Sequence, residues 1–517
     1  MAKSWTAEQG ESSWNQYNEE FRALIDDDDG EKGEDNTIPL AQPPLNIIIL
    51  YPDDWRHDDL GDANPDLQTP TFSALAADGI RFTYNAVTTS ICWISRATLF
   101  TGLYVSGHRS TYLFRPIFAH TPEIWHKTWP YLLQQAGYWV GHIGKWQYQD
   151  KDNYKKQLFN FSVYFEGWIT KKSGGNTEFI ADVAGRNAIS FLRKRPKDRP
   201  FAATVAFYPP KGIHDPQETL SNFTRQYSNH TYVEKYNVDE AYRRLPVFLQ
   251  DNDTEARRRY IYRYEKTGNF QNATVAQYAT ITHLDKICGD IVAELKRQGI
   301  YNHTMIIVTA DNGEFHGRHA FSDKWYPYHE AIRVPLIIYD PRMPVSKRGT
   351  LNDEFTLNID LAPTILGAAG LEAPSVMHGR DIADLYLSEN PTSSSFGESW
   401  RQEFYYEFPQ INDRIPPSVA LVRKDYKYID WWLHKDEELF DMQQDPFELN
   451  NIANKTDLAD LKKDMYERLH SLRHEVFGSL GKVPGTQCDP TLKAGSVNKN
   501  RCSQIFPDRC CPAQKER

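Results

Sequence analysis

The 517-residue sequence has no apolar run of the roughly 18–20 residues that a membrane-spanning helix needs, which argues against a transmembrane anchor. It has no excess of positive charge either. Lys and Arg number 59 against 69 Asp and Glu, a formal net charge of -10. Most of that deficit is local. Residues 1–35 carry eleven acids against Lys3, Arg22 and Lys32, a net of -8, so the rest of the chain is close to neutral at about -2. Bulk electrostatics therefore gives no support to nucleic acid as a partner. The acidic segment reads as a solvated tail. Sulfur is scarce, with six Met and six Cys, and no internal repeat is apparent. The opening residues Met1-Ala2-Lys3-Ser4-Trp5 lack the apolar stretch of a signal peptide.

What the sequence does contain points outside the cytosol. N-x-S/T triplets occur at Asn160, Asn222, Asn229, Asn252, Asn272, Asn302 and Asn454, and a run of seven favours glycosylation. Four of the six cysteines (Cys488, Cys502, Cys510, Cys511) crowd into a terminal tail rich in Pro, Gly and Lys. Such a cluster reads as a disulfide staple. A zinc site is disfavoured there by the absence of His and of a paired CxxC. The expectation is a secreted, extracellular chain whose signal peptide has been removed, with the lysosome as the alternative destination.

Leu45 to Tyr51 is a short, nearly continuous apolar run, the pattern of a strand buried on both faces in a parallel sheet. Similar runs recur at Phe201 to Phe207, Met305 to Val308 and Val334 to Tyr339. Helical spacing occupies Phe179 to Arg193 and Val275 to Leu295, the latter closed by Gly299. This alternation predicts an α/β/α sandwich. Beyond a linker near Pro391 and Ser393 to Ser395, a strand pair (Ser418 to Val422, Tyr426 to Trp432) and an amphipathic helix (Asp457 to Val476) predict a smaller C-terminal domain of antiparallel sheet plus helix. The expected divisions are an acidic extension at 1–44, a catalytic domain at 45–385, the smaller domain at 386–480 and the Cys-rich tail at 481–517.

Chemistry is expected where strands end. The first strand runs into Asp53-Asp54 and the one ending at Thr309 runs into Asp311-Asn312. In open α/β sheets ligands bind beyond the carboxyl ends of strands. Strand-end Asp and Asn often only make turns. Two such pairs converging need a counter-charge, and three carboxylates with an amide suit a hard cation, Ca²⁺ or Mg²⁺.

The stretch Cys92-Trp93-Ile94-Ser95-Arg96, followed by Thr101-Gly102, resembles the signature of the type I, formylglycine-dependent sulfatases of the alkaline phosphatase superfamily. Asp53-Asp54 with Asp59-Leu60-Gly61, Gly144-Lys145-Trp146, Asp311-Asn312-Gly313-Glu314, Lys324, Glu330 to Pro335 and Glu438-Leu439-Phe440-Asp441 with Asp445-Pro446 and Glu448 continue the match over roughly residues 45–455. The resemblance implies an alkaline-phosphatase-like sandwich and hydrolysis of a sulfate ester, with a carbohydrate as the expected alcohol. It implies oxidation of Cys92 to 3-oxoalanine by a formylglycine-generating enzyme. It also implies a metal held by Asp53, Asp54, Cys92, Asp311 and Asn312, and catalysis by Cys92, Arg96, Lys145, His214 and Lys324. His214 is the expected acid for the leaving alcohol, and Lys145, His214, Lys324 and Gln147 are expected to meet the substrate. A hydrated carbonyl splits one hard displacement into two easier steps. A helix N-terminus at Cys92 favours an anionic sulfate there.

Two positions depart from the family pattern: Ile94 stands where it has Pro, and Gln147 where it has His. Gln cannot accept a proton at neutral pH, and His142, His316 and His319 are the candidate substitutes. Competing readings are a phosphoric or phosphonic ester hydrolase of the same superfamily, and a catalytically silent binder of sulfated glycans. Cys288 is expected to be a core thiol, and Trp431-Trp432 small-domain packing.

Overall fold

The computed structural model describes residues 44–111, 122–148, 154–165, 167, 169–171, 177–211, 225–227, 237–266, 270–388 and 399–480. The N-terminal extension, the Cys-rich tail and His214 lie outside the described residues.

An eight-stranded mixed sheet forms the larger unit. Its strands are β1 (Asn46–Asp53), β2 (Ile80–Phe82), β3 (Trp139–Gly144), β4 (Phe161–Tyr164), β5 (Phe201–Pro210), β6 (Thr304–Thr309), β7 (Leu336–Tyr339) and β8 (Thr350–Asn352). Their spatial order is β8-β2-β7-β6-β1-β5-β3-β4. β6, β1, β5, β3 and β4 run parallel to one another. β7 departs from the expected parallel arrangement and pairs antiparallel with both β6 and β2. No crossover helix carries the chain back to the amino end of the sheet after β6. The segment 310–335 stays at the carboxyl end, so the next strand must run the opposite way. The strand also begins at Leu336 rather than Val334, because Pro335 has no N–H to give a ladder.

Alternation along β1 divides the core into two layers. Ile48 and Leu50 pack with helices α1 (Pro70–Asp78), α3 (Ile180–Lys194) and α4 (Phe270–Arg297) on one face. Ile47, Ile49 and Tyr51 pack with α2 (Cys92–Thr101) and α5 (Leu361–Ala368) on the other. The expected α/β/α sandwich is thus formed. Cys288 on α4 is a fully buried thiol.

The smaller unit is a four-stranded antiparallel sheet, β9 (Glu403–Phe408), β10 (Ser418–Arg423), β11 (Tyr426–Trp431) and β12 (Asp436–Asp441), in sequential order. Helix α6 (Ala459–Leu480) buries Met465 and Leu469 with it. Trp431 is wholly buried and donates its Nε1–H to Glu438 at 2.8 Å, as core packing requires. Glu448 joins the two units. It accepts a hydrogen bond from the His329 backbone N–H at 2.6 Å and pairs with the buried Lys427. No helix of the described residues is long and apolar enough to cross a membrane.

Candidate active site

Three neighbouring strands deliver their carboxyl ends to one place. β1 ends at Asp53, and register pairing with β5 sets Asp53 opposite Pro210, so the Lys211 N–H donates to the Asp53 carbonyl at 3.0 Å. Lys145 follows β3 through Gly144, whose φ is +113°. A Cβ at Gly144 would lie 2.0 Å from the Ala206 carbonyl oxygen, so only glycine lets the chain turn Lys145 back over the sheet. Gly313 answers a similar demand, since a Cβ there would lie 2.1 Å from the Glu330 carbonyl.

Cys92 is the first residue of α2 and is 2 % exposed. Its sulfur is 3.0 Å from Lys324 Nζ and 3.2 Å from Lys211 Nζ. Asp54 has φ +58°, a left-handed conformation held by its N–H bonding to Asp311 Oδ1 at 3.1 Å. Its carboxylate accepts from Asn312 Nδ2 at 2.7 Å and Lys211 at 3.1 Å, and also pairs with Lys324. Asp53 pairs with Lys145, both fully buried. Arg96 lies one turn along α2, with Nε 2.9 Å from Asp311 Oδ2.

These charges hold one another ionised. Burial alone would raise the Asp54 carboxyl, but the Lys211 and Lys324 ammoniums hold it well below the usual range. Burial opposes the Lys211 charge, yet Asp54 and Cys92 together keep it well above the ordinary lysine value. For Glu314 the compensation from Arg263 and Lys324 is too small. Burial, followed by repulsion from Asp54 and Asp323, pushes its carboxyl up to about 8.

The expected metal ligands Asp53, Asp54, Cys92, Asp311 and Asn312 therefore share one site. Ligand atoms from Asp53, Asp54 and Cys92 lie within 4.8 Å of one another. Asp53 Oδ1 and Asn312 Oδ1 are buried with no hydrogen-bond partner. Asp53 Oδ1 has only the longer ion pairs to Lys211 at 3.6 Å and Lys324 at 3.9 Å, so these two hard oxygens beside a carboxylate fit an oxygen-loving cation. Asp311 differs from them, since Asp54 N–H and Arg96 already engage both of its oxygens.

A cleft of about 790 Å³ opens over Cys92, lined among others by Trp93, Gln147, Lys211, Lys324 and Trp325. Gln147 reaches it with φ +69° and a buried, unpartnered Oε1. The histidines considered as its substitutes are held elsewhere. His142 bonds the Lys145 carbonyl at 3.1 Å, His316 lies against Thr274 and Tyr264, and His319 pairs with Glu330 at 3.5 Å.

Lys211 went unrecognised as a site residue in the sequence, although it follows a strand end as directly as Asp53 does. Asp323 was also missed. It lines the cleft and is clamped by Arg259 at 3.0 Å and by Arg263, which lie on the helical segment 255–265, an arrangement that no short motif encodes.

A family model described as Sulfatase matches residues 45–371, and a second, described as N-sulphoglucosamine sulphohydrolase, C-terminal, matches 317–475. The chain belongs to the sulfatase family. Members of this family are sulfuric ester hydrolases, and the protein is accordingly an enzyme of that class. An N-acetylglucosamine-6-O-sulfatase of Bacteroides thetaiotaomicron is 27% identical over 502 residues, covering 83% of this chain and 86% of the relative. The human N-sulphoglucosamine sulphohydrolase is 24% identical, covering 86% and 95%. Among solved structures, one bound to its substrate D-glucosamine-2-N,6-O-disulfate superposes with a TM-score of 0.70 at 24% identity, covering 86% of this chain and 99% of that one. The phosphonate monoester hydrolase of Agrobacterium radiobacter gives 0.68 at 21%, covering 84% and 96%. The sulfatase thus has the alkaline-phosphatase-like fold anticipated from its motifs.

Proposed function

We propose that this sulfatase removes sulfate from a sulfated carbohydrate, using Cys92 as formylglycine and a divalent cation, Ca²⁺ or Mg²⁺. The observation carrying this reading is the convergence of Lys145, Lys211 and Lys324 on two buried aspartates, with Lys211 and Lys324 also against the Cys92 side chain that lines the cleft. The substrate class is supported by the names of two relatives, an N-acetylglucosamine-6-O-sulfatase and an N-sulphoglucosamine sulphohydrolase.

Asp53, Asp54 and Asn312 would hold the cation, which neutralises sulfate oxygens when bound. As formylglycine hydrate, residue 92 would supply one oxygen to attack sulfur as the bond from sulfur to the alcohol oxygen breaks, and a second whose deprotonation would expel sulfate and restore the aldehyde. Arg96 and Asp311 fix the first turn of α2, so that residue 92 keeps its aim. Lys324 and Lys211 flank the reacting atoms and stabilise negative charge as the S–O bond breaks. Gln147 directs an amide toward the same space. His214, the expected donor to the leaving alcohol, is retained as part of the proposal.

We place the enzyme in the secretory route, outside the cell or in the lysosome. In support, the sequon asparagines Asn160, Asn252, Asn272, Asn302 and Asn454 are all exposed. Peptide mass spectrometry across residue 92, on protein from a eukaryotic secretory host, tests the mechanism: an aldehyde is expected, and a uniform thiol with no turnover would favour the silent glycan binder that Gln147 allows. Comparing aryl sulfate with aryl phosphate tests the reaction class, and a strong phosphate preference would favour the ester-hydrolase alternative.

A further inference from the structure

At the opposite end of the strands from Cys92 the sequence concentrates positive charge. Arg193-Lys194-Arg195-Pro196-Lys197-Asp198-Arg199 ends α3, and Lys296-Arg297 ends α4. The two helix ends enclose a groove of about 450 Å³ lined by Arg193, Arg195, Lys197, Arg297, Gln298 and Ile300. The groove lies before β5, whose ten residues span about 30 Å to the catalytic end.

Cations at helix C-termini are ordinary, because they complement the macrodipole. Lys197 fits that explanation, donating to the Leu192 carbonyl at 2.7 Å. Arg193 and Arg297 also serve the fold, since both bind the buried Glu294. Arg195 is not accounted for in this way. It is only 6 % exposed, stacks on Phe201 with its Cζ 4.7 Å from the ring centroid, and donates to the Pro196 carbonyl at 3.1 Å and Gln298 Oε1 at 3.4 Å. Its Nε is buried with no hydrogen-bond partner. Burial lowers its pKa, with no carboxylate to offset that cost. Four of the residues lining the groove are thus cations and none is a carboxylate, with Glu294 bound by Arg193 and Arg297.

We propose that this groove is a second anion-binding site, an exosite that grips a sulfate group on a sulfated glycan chain at a distance from the sulfate being hydrolysed. Planar guanidinium groups match oxyanions bidentately, and an orphaned Nε–H is the donor such a ligand completes. The exosite raises the affinity of a long polyanion without contacting the reacting ester, and it gives no advantage to a small substrate. The inference rests on the sulfated-carbohydrate reading above.

The test uses the full chain, a heparin dodecasaccharide and a small aryl sulfate. Arg195→Met keeps the aliphatic stem on Phe201, and Arg297→Gln changes a mostly exposed side chain while Arg193 continues to bind Glu294. The double variant should bind the dodecasaccharide about tenfold more weakly and elute from immobilised heparin at lower salt, with kcat/KM on aryl sulfate within twofold of wild type. Arg297→Gln alone should show about a threefold loss, which guards against misfolding of the Arg195 variant. Equal heparin binding by wild type and both variants overturns the exosite, even where aryl sulfate turnover upholds the enzyme. Groove-dependent binding by a protein that releases no sulfate has the reverse meaning: the exosite stands and the catalytic reading falls. Equal displacement of the glycan by a single-stranded oligonucleotide of the same charge overturns the glycan assignment.

Discussion

Lys324 Nζ lies 3.0 Å from Cys92 Sγ, although 232 residues separate the two in sequence. The contact joins the first residue of α2 to the segment that returns from β6 to β7, and it fixes a positive charge against the side chain proposed as the nucleophile. Preorganised charge of this kind typically contributes a factor of 10²–10³ in rate. Lys324→Met should therefore lower kcat on an aryl sulfate by about that factor while changing KM little. Cys92→Ala should abolish sulfate release and leave the unfolding midpoint nearly unchanged. Retained activity in Cys92→Ala would refute the mechanism outright.

Gln147 supplies the second prediction. Its φ of +69° is one that His tolerates better than most residues, so Gln147→His should fold without repacking. A correctly placed general base is worth about 10²–10⁴ in rate. If proton removal limits turnover, the variant should gain kcat toward the lower end of that range and acquire an acidic limb in its pH–rate profile. An unchanged rate would show that the proton leaves by another route.

Removal of the cation should be felt in both activity and stability. Asp53 and Asp54 are fully buried, and bound cation adds about 2.7 kcal/mol to folding when present at a hundred times its Kd. Chelator treatment should lower the thermal midpoint and abolish turnover, and Ca²⁺ or Mg²⁺ should restore both. Asp54→Asn should weaken the restoration. A chelated enzyme with full activity would remove the metal from the proposal.

Much of this site was legible because it obeys local rules. Asp53 ends one expected strand and Asp311 stands just beyond another, so the rule about carboxyl ends located them without any tertiary knowledge, whereas Lys145 was found only through the motif resemblance. Gly144 and Gly313 belong to the motifs for a reason that is steric rather than chemical. Asp323 was invisible because its partners Arg259 and Arg263 lie some sixty residues away in a region with no repeating pattern. The reversed direction of β7 was equally hidden, since a four-residue apolar strand reads alike in either sense. His214, by contrast, was a motif-based expectation that falls outside the described residues.

Glu438 makes the interface between the two units pH-sensitive. It accepts from Tyr328 Oη at 2.9 Å and from Trp431 Nε1 at 2.8 Å, and it is 1 % exposed. Burial pushes its carboxyl up to about 7, against the lowering effect of those two donors. A carboxyl raised in this way binds its proton more tightly in the folded state than in the unfolded chain. Its contribution is fully present below the unfolded value near 4.5 and is lost as pH rises toward 7, a total of about 3 kcal/mol. Unfolding free energy should therefore fall across that window, and Glu438→Gln should flatten the slope. A variant with the wild-type slope would assign the effect to another group.

Arg401 and Asp360 test how the smaller unit is fastened to the larger one. Asp360 is fully buried just before α5, where its carboxylate accepts from the Leu357 and Arg380 backbone N–H groups, each at 2.8 Å. Arg401, at the approach to β9, closes on it with both terminal nitrogens, Nη2 at 2.7 Å, and also donates to the Phe355 carbonyl at 3.2 Å. Removing one partner of a buried pair leaves a charge without compensation, at a cost of about 3–5 kcal/mol. Arg401→Ala should fall near the lower end, since two backbone donors still serve the carboxylate. Arg401→Lys should recover only part of the loss, because an ammonium cannot reproduce the fork. Asp360→Asn combined with Arg401→Met should be less damaging than the sum of its single changes, because neither charge is then left buried alone. Urea unfolding of these variants, with Asp360→Asn and Arg401→Met also made singly, measures each term. α5 shares a core with α2, which begins at Cys92, so a destabilised Arg401→Ala should also lose turnover on warming before its global transition. A loss below about 1 kcal/mol in Arg401→Ala would mean that this pair does not fasten the two units together.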